Sequence, residues 1–277
     1  MMALWRHLVA LLPFAWAQYA FMQQALLAVI AAAVLYGLLG ALLVNQQMAF
    51  FSDAIGHAAL TGVAIGVVLG LGDPLWAMVI FAALLAAAIT LAKRAAGGSA
   101  DTTIGLFMSF AVALGVVVLS RGGGFARYSA YLVGDVLSIT PGEIGLLLAL
   151  IALVLAFYGA FFNQVMFVGL NASLAGSRRI NVRAIELLFA LLVAVAVTVS
   201  IRWVGLLVIN SLLILPAAAA RHRAGNVARY LRDTLAVSLF SGVAGLIASY
   251  YLATATGATM VLFAMACYLV SLAFRHR

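Results

Sequence analysis

Apolar residues fill long unbroken stretches of this chain, and polar residues gather in the short gaps between them. The stretches fall at 18 to 44, 48 to 71, 74 to 92, 102 to 120, 143 to 166, 183 to 201, 203 to 220, 234 to 253 and 258 to 274. Most come close to the roughly 20 residues that a helix rising about 1.5 Å per residue needs to cross a hydrocarbon core. A barrel strand would alternate apolar and polar positions, and these stretches do not. The pattern predicts an all-α fold, a polytopic membrane helical bundle of about nine spans, forming a single transmembrane domain over 1–277.

Composition agrees. Of the 277 residues, 67% are hydrophobic and 8% charged, and the mean hydropathy is +1.22, which makes a lipid bilayer the expected surroundings. The net charge of +8 raises the question of nucleic acid. The cations, however, sit in separate short gaps and not on one continuous face, so no nucleic-acid partner is expected. Lys93-Arg94, Arg178-Arg179-Arg183, Arg221 to Arg232 and the tail Arg275-His276-Arg277 all fall on one side under a nine-span count, and the positive-inside rule makes that side cytoplasmic. The opposite side receives Asp73, Asp135 and Glu143, with Arg121, Arg127 and Arg202 as exceptions.

Three other features read as ordinary. Cys267, the only cysteine, lies in an apolar run and has no partner for an intrachain disulfide. Residues 1–17 resemble a signal peptide, with Arg6, an apolar stretch and Ala15-Trp16-Ala17, but a short helix along the membrane surface explains the same pattern and is preferred. Gly122-Gly123-Gly124 has no Gly-Lys-Ser/Thr after it, so it reads as a flexible external turn and not a phosphate loop.

Asp53 and His57 break the pattern. Four residues apart on a helix, they share one face and can share one ligand. With the second span starting near Met48, they stand about 8 Å and about 14 Å into it. An ionisable pair at that depth is by default a functional hypothesis, and a structural Asp-His hydrogen bond is the competing explanation. Imidazole nitrogen with carboxylate oxygen suits zinc, manganese or ferrous iron. One helix supplies only two ligands, whereas two copies facing across a twofold axis supply a tetrahedral set. Gly62, Gly66 and Gly70, spaced by four, favour close helix approach. Because imidazole must be neutral to bind a metal, such a site predicts transport that weakens as pH falls. Elsewhere, Glu186 is one turn from Arg183 and reads as half of an interfacial ion pair, His7, His222 and His276 read as solvated or lipid-facing, and Asn210 and Ser211 as interhelical hydrogen-bonding groups.

Several stretches together resemble the permease subunits of bacterial ABC importers for zinc, manganese and iron. They are "SDAIGHAALTGVAIG" (52–66), "LGDPLW" (71–76), "DTTIGLFMSFAVALGVVVLS" (101–120), "LVGDVLSIT" (132–140) and "VGLLVINSLLILPAAAAR" (204–221), with "GLIASYYL" and "GATMVL" near the end. The resemblance implies a homodimeric permease in the bacterial cytoplasmic (inner) membrane. It would be fed by an extracytoplasmic metal-binding protein and powered by a separate cytoplasmic ATP-binding subunit, with no enzyme activity or permanently bound cofactor of its own. Asp53 and His57 take the places of the family's path-lining residues, for Zn2+ foremost and for Mn2+ or Fe2+ otherwise. Residues 168–181 lie where the family carries its coupling segment, which makes Asn171, Ser173, Leu174, Ala175, Arg178 and Arg179 the ATPase-coupling candidates. Here Asn171, Ala172 and Ser173 replace the family's Asp-Pro-Glu, and Ala253 stands where it often has Asp. No Walker A sequence occurs in the chain. A proton-coupled carrier and an intramembrane metalloenzyme are the rival readings; the second lacks His-Glu-x-x-His.

Overall fold

The computed structural model describes Trp5, Val9 and residues 13–95, 99–122 and 134–273. These residues form ten α-helices and no strand: α1 Ala20–Asn45, α2 Phe51–Val68, α3 Leu75–Ala95, α4 Ala100–Gly122, α5 Pro141–Leu170, α6 Ala172–Ser177, α7 Val182–Val204, α8 Leu206–Arg221, α9 Val227–Leu252 and α10 Thr256–Ala273. Eight are long and apolar enough to cross a bilayer, and α8 is a shorter apolar helix. Each of the nine apolar stretches thus has its helix, and α6 is the short element the stretches do not account for. This is a multi-pass membrane protein.

The helix ends follow from local chemistry. At the start of α5, Thr140 and Glu143 cap each other's backbone: the Thr140 N–H donates to Glu143 Oε2 at 2.8 Å, and the Glu143 N–H donates to Thr140 Oγ1 at 3.4 Å. Pro141 follows at the first helical position, where its missing N–H is not needed. Asn226 caps α9 by accepting from the Arg229 N–H at 2.8 Å. Four helices end in one shared device, a left-handed residue after the last turn whose successor bonds back five residues: Met48 N–H to Leu43 O, Leu71 N–H to Gly66 O, Ile180 N–H to Ala175 O and Thr254 N–H to Ser249 O. The left-handed residues are Gln47 (φ 55°), Gly70 (φ 71°), Arg179 (φ 60°) and Ala253 (φ 50°). Only Gly70 adopts that conformation without a Cβ penalty.

The chain divides into two compact units. The first comprises Met1–Ala41, Val133–Leu155 and Arg202–Arg277. In it α8, α9 and α10 pack on one another; Gly245 lets α9 lie against the backbone of Met260, where a Cβ would approach Met260 Cα to 2.6 Å. The Ser238 hydroxyl donates to the Ala33 carbonyl at 2.8 Å and the Tyr230 hydroxyl to the Ala41 carbonyl at 3.1 Å, fixing α9 on α1. His222, expected to be solvated or lipid-facing, instead packs against α10: its Nδ1 lies 2.9 Å from Ser271 Oγ and its ring 5.3 Å from Tyr268. His7 and His276 lie outside the described residues. Ser211 donates to Val208 O of its own helix at 3.0 Å, where a bond to another helix was expected; a buried hydroxyl takes the nearest carbonyl with spare acceptor capacity. The surface helix expected over 1–17 falls largely outside the described residues, although the Trp5 indole donates to Gln23 O at 2.7 Å.

The second unit comprises Leu42–Leu132 and Ala156–Ile201. Here α2 packs against both α3 and α4. Gly62 faces the backbone of Met78, 2.5 Å from where its Cβ would stand, and Gly66 faces Pro74 and Ala77. The glycine spacing therefore serves α2–α3 packing within the chain, while Gly70 ends the helix. Glu186 of α7 lies nearly buried, with Oε1 3.7 Å from Lys93 Nζ of α3. Large apolar side chains such as Leu84, Leu91, Leu106 and Val117 stay exposed, as a lipid-facing surface requires.

Candidate functional site

Helix α2 carries the candidate metal pair. Its first turn begins at Phe51, later than the sequence suggested, because the turn through Gln47 and Met48 ends α1 before α2 starts. Asp53 and His57 accordingly stand about 3 Å and about 9 Å from the helix start, one end of the helix and not its middle. The first turn is where a helix best accommodates a carboxylate, since its unpaired N–H groups point that way.

The two side chains face the same way. His57 Nε2 lies 3.9 Å from Asp53 Oδ1, and each side chain keeps about a third of its surface, 30% and 33%. That separation is too long for a hydrogen bond. It is within reach of a shared ion: ligand atoms about 2.1 Å from one metal can stand up to roughly 4.2 Å apart, and about 3.4 Å at a tetrahedral angle. Closing the difference takes about 0.5 Å, which a small χ rotation supplies. No group of three or more His, Cys, Asp or Glu side chains suited to a metal occurs among the described residues. Among the described residues, one chain thus offers two candidate ligands and no third.

Thr61, one turn beyond His57, holds this stretch of α2 in place. Its hydroxyl lies 2.7 Å from the Ala111 carbonyl of α4 and 3.2 Å from the His57 carbonyl. Gly115 leaves room for it, since a Cβ there would come 2.6 Å from Thr61 Oγ1. Nothing in the spacing of α2 itself marks Thr61; the small residues Ala111 and Gly115 on one face of α4 are the available signal.

The coupling candidates form a separate group. Leu174 and Ala175, with Ser173, lie on α6, and Asn171 caps it by accepting from the Leu174 N–H at 3.0 Å. Asparagine therefore keeps the capping function that aspartate would have. Ala175 is buried, whereas Leu174 is 57% exposed. Arg178 lies over the Phe167 ring, 5.2 Å from its centroid, and Arg179 is the left-handed residue that ends the helix. Lys93 was not foreseen as the neighbour of Glu186, because nothing in sequence spacing brings α3 and α7 together.

Known proteins resemble the chain over nearly its full length. The High-affinity zinc uptake system membrane protein ZnuB of Haemophilus influenzae is 31% identical over 86% of this chain and 92% of its own. The Manganese transport system membrane protein MntC of Listeria innocua is 26% identical over 93% and 91%. Among solved structures, PsaBC from Streptococcus pneumoniae in complex with Fab superposes with a TM-score of 0.78 at 27% identity, over 98% of this chain and 95% of that one. The model of the ABC 3 transport family matches residues 18–275. The chain belongs to the ABC 3 transport family.

Proposed function

We propose that this chain is the permease subunit of an ATP-driven importer that carries a divalent transition metal, foremost Zn2+, into the cytoplasm, and that Asp53 and His57 are its path ligands. The observation that carries the reading is the pair itself: an imidazole and a carboxylate on one face of a membrane helix, 3.9 Å apart and partly open. Membership of the ABC 3 transport family supports the transport reading, and relatives named for zinc and for manganese support the cargo class.

Two copies of the chain, meeting so that both pairs face one ion, would offer two nitrogens and two carboxylates, which suits zinc. Manganese and iron accept the same donors, so the preference rests on coordination number. Held by few ligands, the ion can leave again. Energy comes from a separate ATP-binding subunit, for which α6 with Asn171, Ser173, Leu174, Ala175, Arg178 and Arg179 is the docking segment, and a metal-binding protein delivers the ion on the other side. The permease itself catalyses no reaction.

Uptake of radioactive zinc, with manganese as competitor, tests this in cells expressing the chain with its partner subunits. His57→Ala at matched abundance is expected to lose at least about 90% of zinc uptake while the complex still assembles, since loss of even an outer-shell partner of a metal ligand typically costs about 10–100-fold. Undiminished uptake would return the pair to a structural role.

A further inference from the structure

Two side-chain amides fasten the turn between α1 and α2 to the end of α5. Asn45, the last residue of α1, donates from Nδ2 to the Met166 carbonyl at 3.3 Å. Gln46, buried, donates from Nε2 to the Val165 carbonyl at 2.9 Å. Both acceptors lie in the last two turns of α5 and already receive the helix's own bonds, so the amides use second lone pairs and cap nothing. What the bonds do is join two segments. Gly169 makes room for the join: a Cβ there would overlap the Asn45 side-chain amide.

The positions of the joined segments give the join its meaning. Immediately beyond α5, the chain enters α6 through its cap Asn171. Beyond Gln46, it passes through the left-handed Gln47 into α2, whose first turn holds Asp53. Beside the join lies an open cleft of about 460 Å³, bordered by Gln46, Gln47, Lys93, Asp101, Gly169 and Glu186 among others. The joined segments therefore border an open cleft on one side.

We propose that Asn45 and Gln46 are positioning residues for transport: they make the α5–α6 corner and the start of α2 move as one block, so that a push on α6 reaches Asp53 and His57. They touch neither the ion nor the nucleotide. The proposal rests on the reading of α6 as the ATPase contact and of Asp53 and His57 as the path. It requires no residue-by-residue relay, only two hydrogen bonds that keep two helix ends in register.

The readout is zinc moved per ATP hydrolysed, measured with the assembled complex in proteoliposomes. Gln46→Met and Asn45→Asp keep the shape and remove the donor. Each is expected to leave ATP hydrolysis within about twofold of wild type and to lower zinc per ATP by at least about fivefold. Gly169→Ala, which displaces the Asn45 amide, gives the same loss, and adding Asn45→Ala to it gives no further loss, because both act on one bond. An unchanged zinc-per-ATP ratio, whether both rates hold or both fall together, overturns the clamp, and so do losses that add in the double variant. Should Gln46→Met fail to assemble, Asn45→Asp is judged alone by the same ratio. Leu174→Asp on the exposed face of α6 tests the underlying reading separately: retained ATPase subunit and retained uptake would remove α6 as the contact, whatever the clamp variants show.

Discussion

Three of the four left-handed terminal residues carry a side chain, and Ala253 is the plainest case, with φ 50° and no polar group to compensate. A Cβ in that conformation costs about 1–2 kcal/mol, and glycine removes most of it. Ala253→Gly is therefore expected to stabilise the protein by about 1 kcal/mol, and Gly70→Ala, at φ 71°, to destabilise it by a similar amount. Opposite shifts in the midpoint of thermal unfolding of the detergent-solubilised protein check the pair; shifts of the same sign would contradict it. At Asp53 and His57, likewise, the residue scale decides most: the sequence alone put both on one face, because a four-residue spacing on a helix allows nothing else.

At the scale of elements, unbroken hydrophobicity made the nine apolar helices legible, and it also explains what stayed hidden. Helix α6 is six residues long and polar at its cap, so no periodicity could mark it, and its location came from family resemblance. The start of α2 was misplaced by three residues because Gln47, and not glycine, occupies the left-handed position that ends α1. Pairings such as Lys93 with Glu186, or Gln46 with Val165, join residues 93 and 119 positions apart in sequence, beyond the reach of spacing rules. The glycines of α2 were legible as contact points but not as to their partner, which is α3 of the same chain. That partner predicts a contrast. Gly62→Ala forces a Cβ against the backbone of Met78, which cannot swing aside as a side chain can, and is expected to lose more than about 2 kcal/mol. Gly105→Ala in α4 meets nothing within 4 Å and is expected to be neutral or to gain up to about 1 kcal/mol from helix propensity. Thermal unfolding of the two variants side by side separates the packing effect from a general intolerance of substitution.

For the molecule as a whole, the proposed site raises the question of whether one chain or two would hold the ion. A single copy offers one imidazole and one carboxylate, and no larger cluster occurs among the described residues. Two ligands would hold zinc weakly, whereas two copies facing each other would complete a tetrahedral set. Co-expression of wild-type and His57→Ala chains in equal amounts turns this into a number. Random pairing gives about a quarter wild-type pairs, about half mixed pairs and about a quarter variant pairs. If both copies must contribute, zinc uptake is expected to fall to about a quarter of the wild-type level, and if each copy carries ions by itself, to about half. Tagging the two forms differently and quantifying mixed pairs ties the uptake to the pairing that produced it. Vanadate and a protonophore, applied to the assembled complex in proteoliposomes supplied with ATP, identify the energy source: an importer driven by a partner ATPase loses uptake with vanadate, whereas a proton-coupled carrier loses it with the protonophore. Uptake near a quarter that is sensitive to vanadate shows that His57 is needed in both copies of a pair and that a separate motor drives transport. Uptake near a half would leave the family assignment untouched and confine Asp53 and His57 to a path within each chain, where the missing ligands would have to come from water or backbone carbonyls.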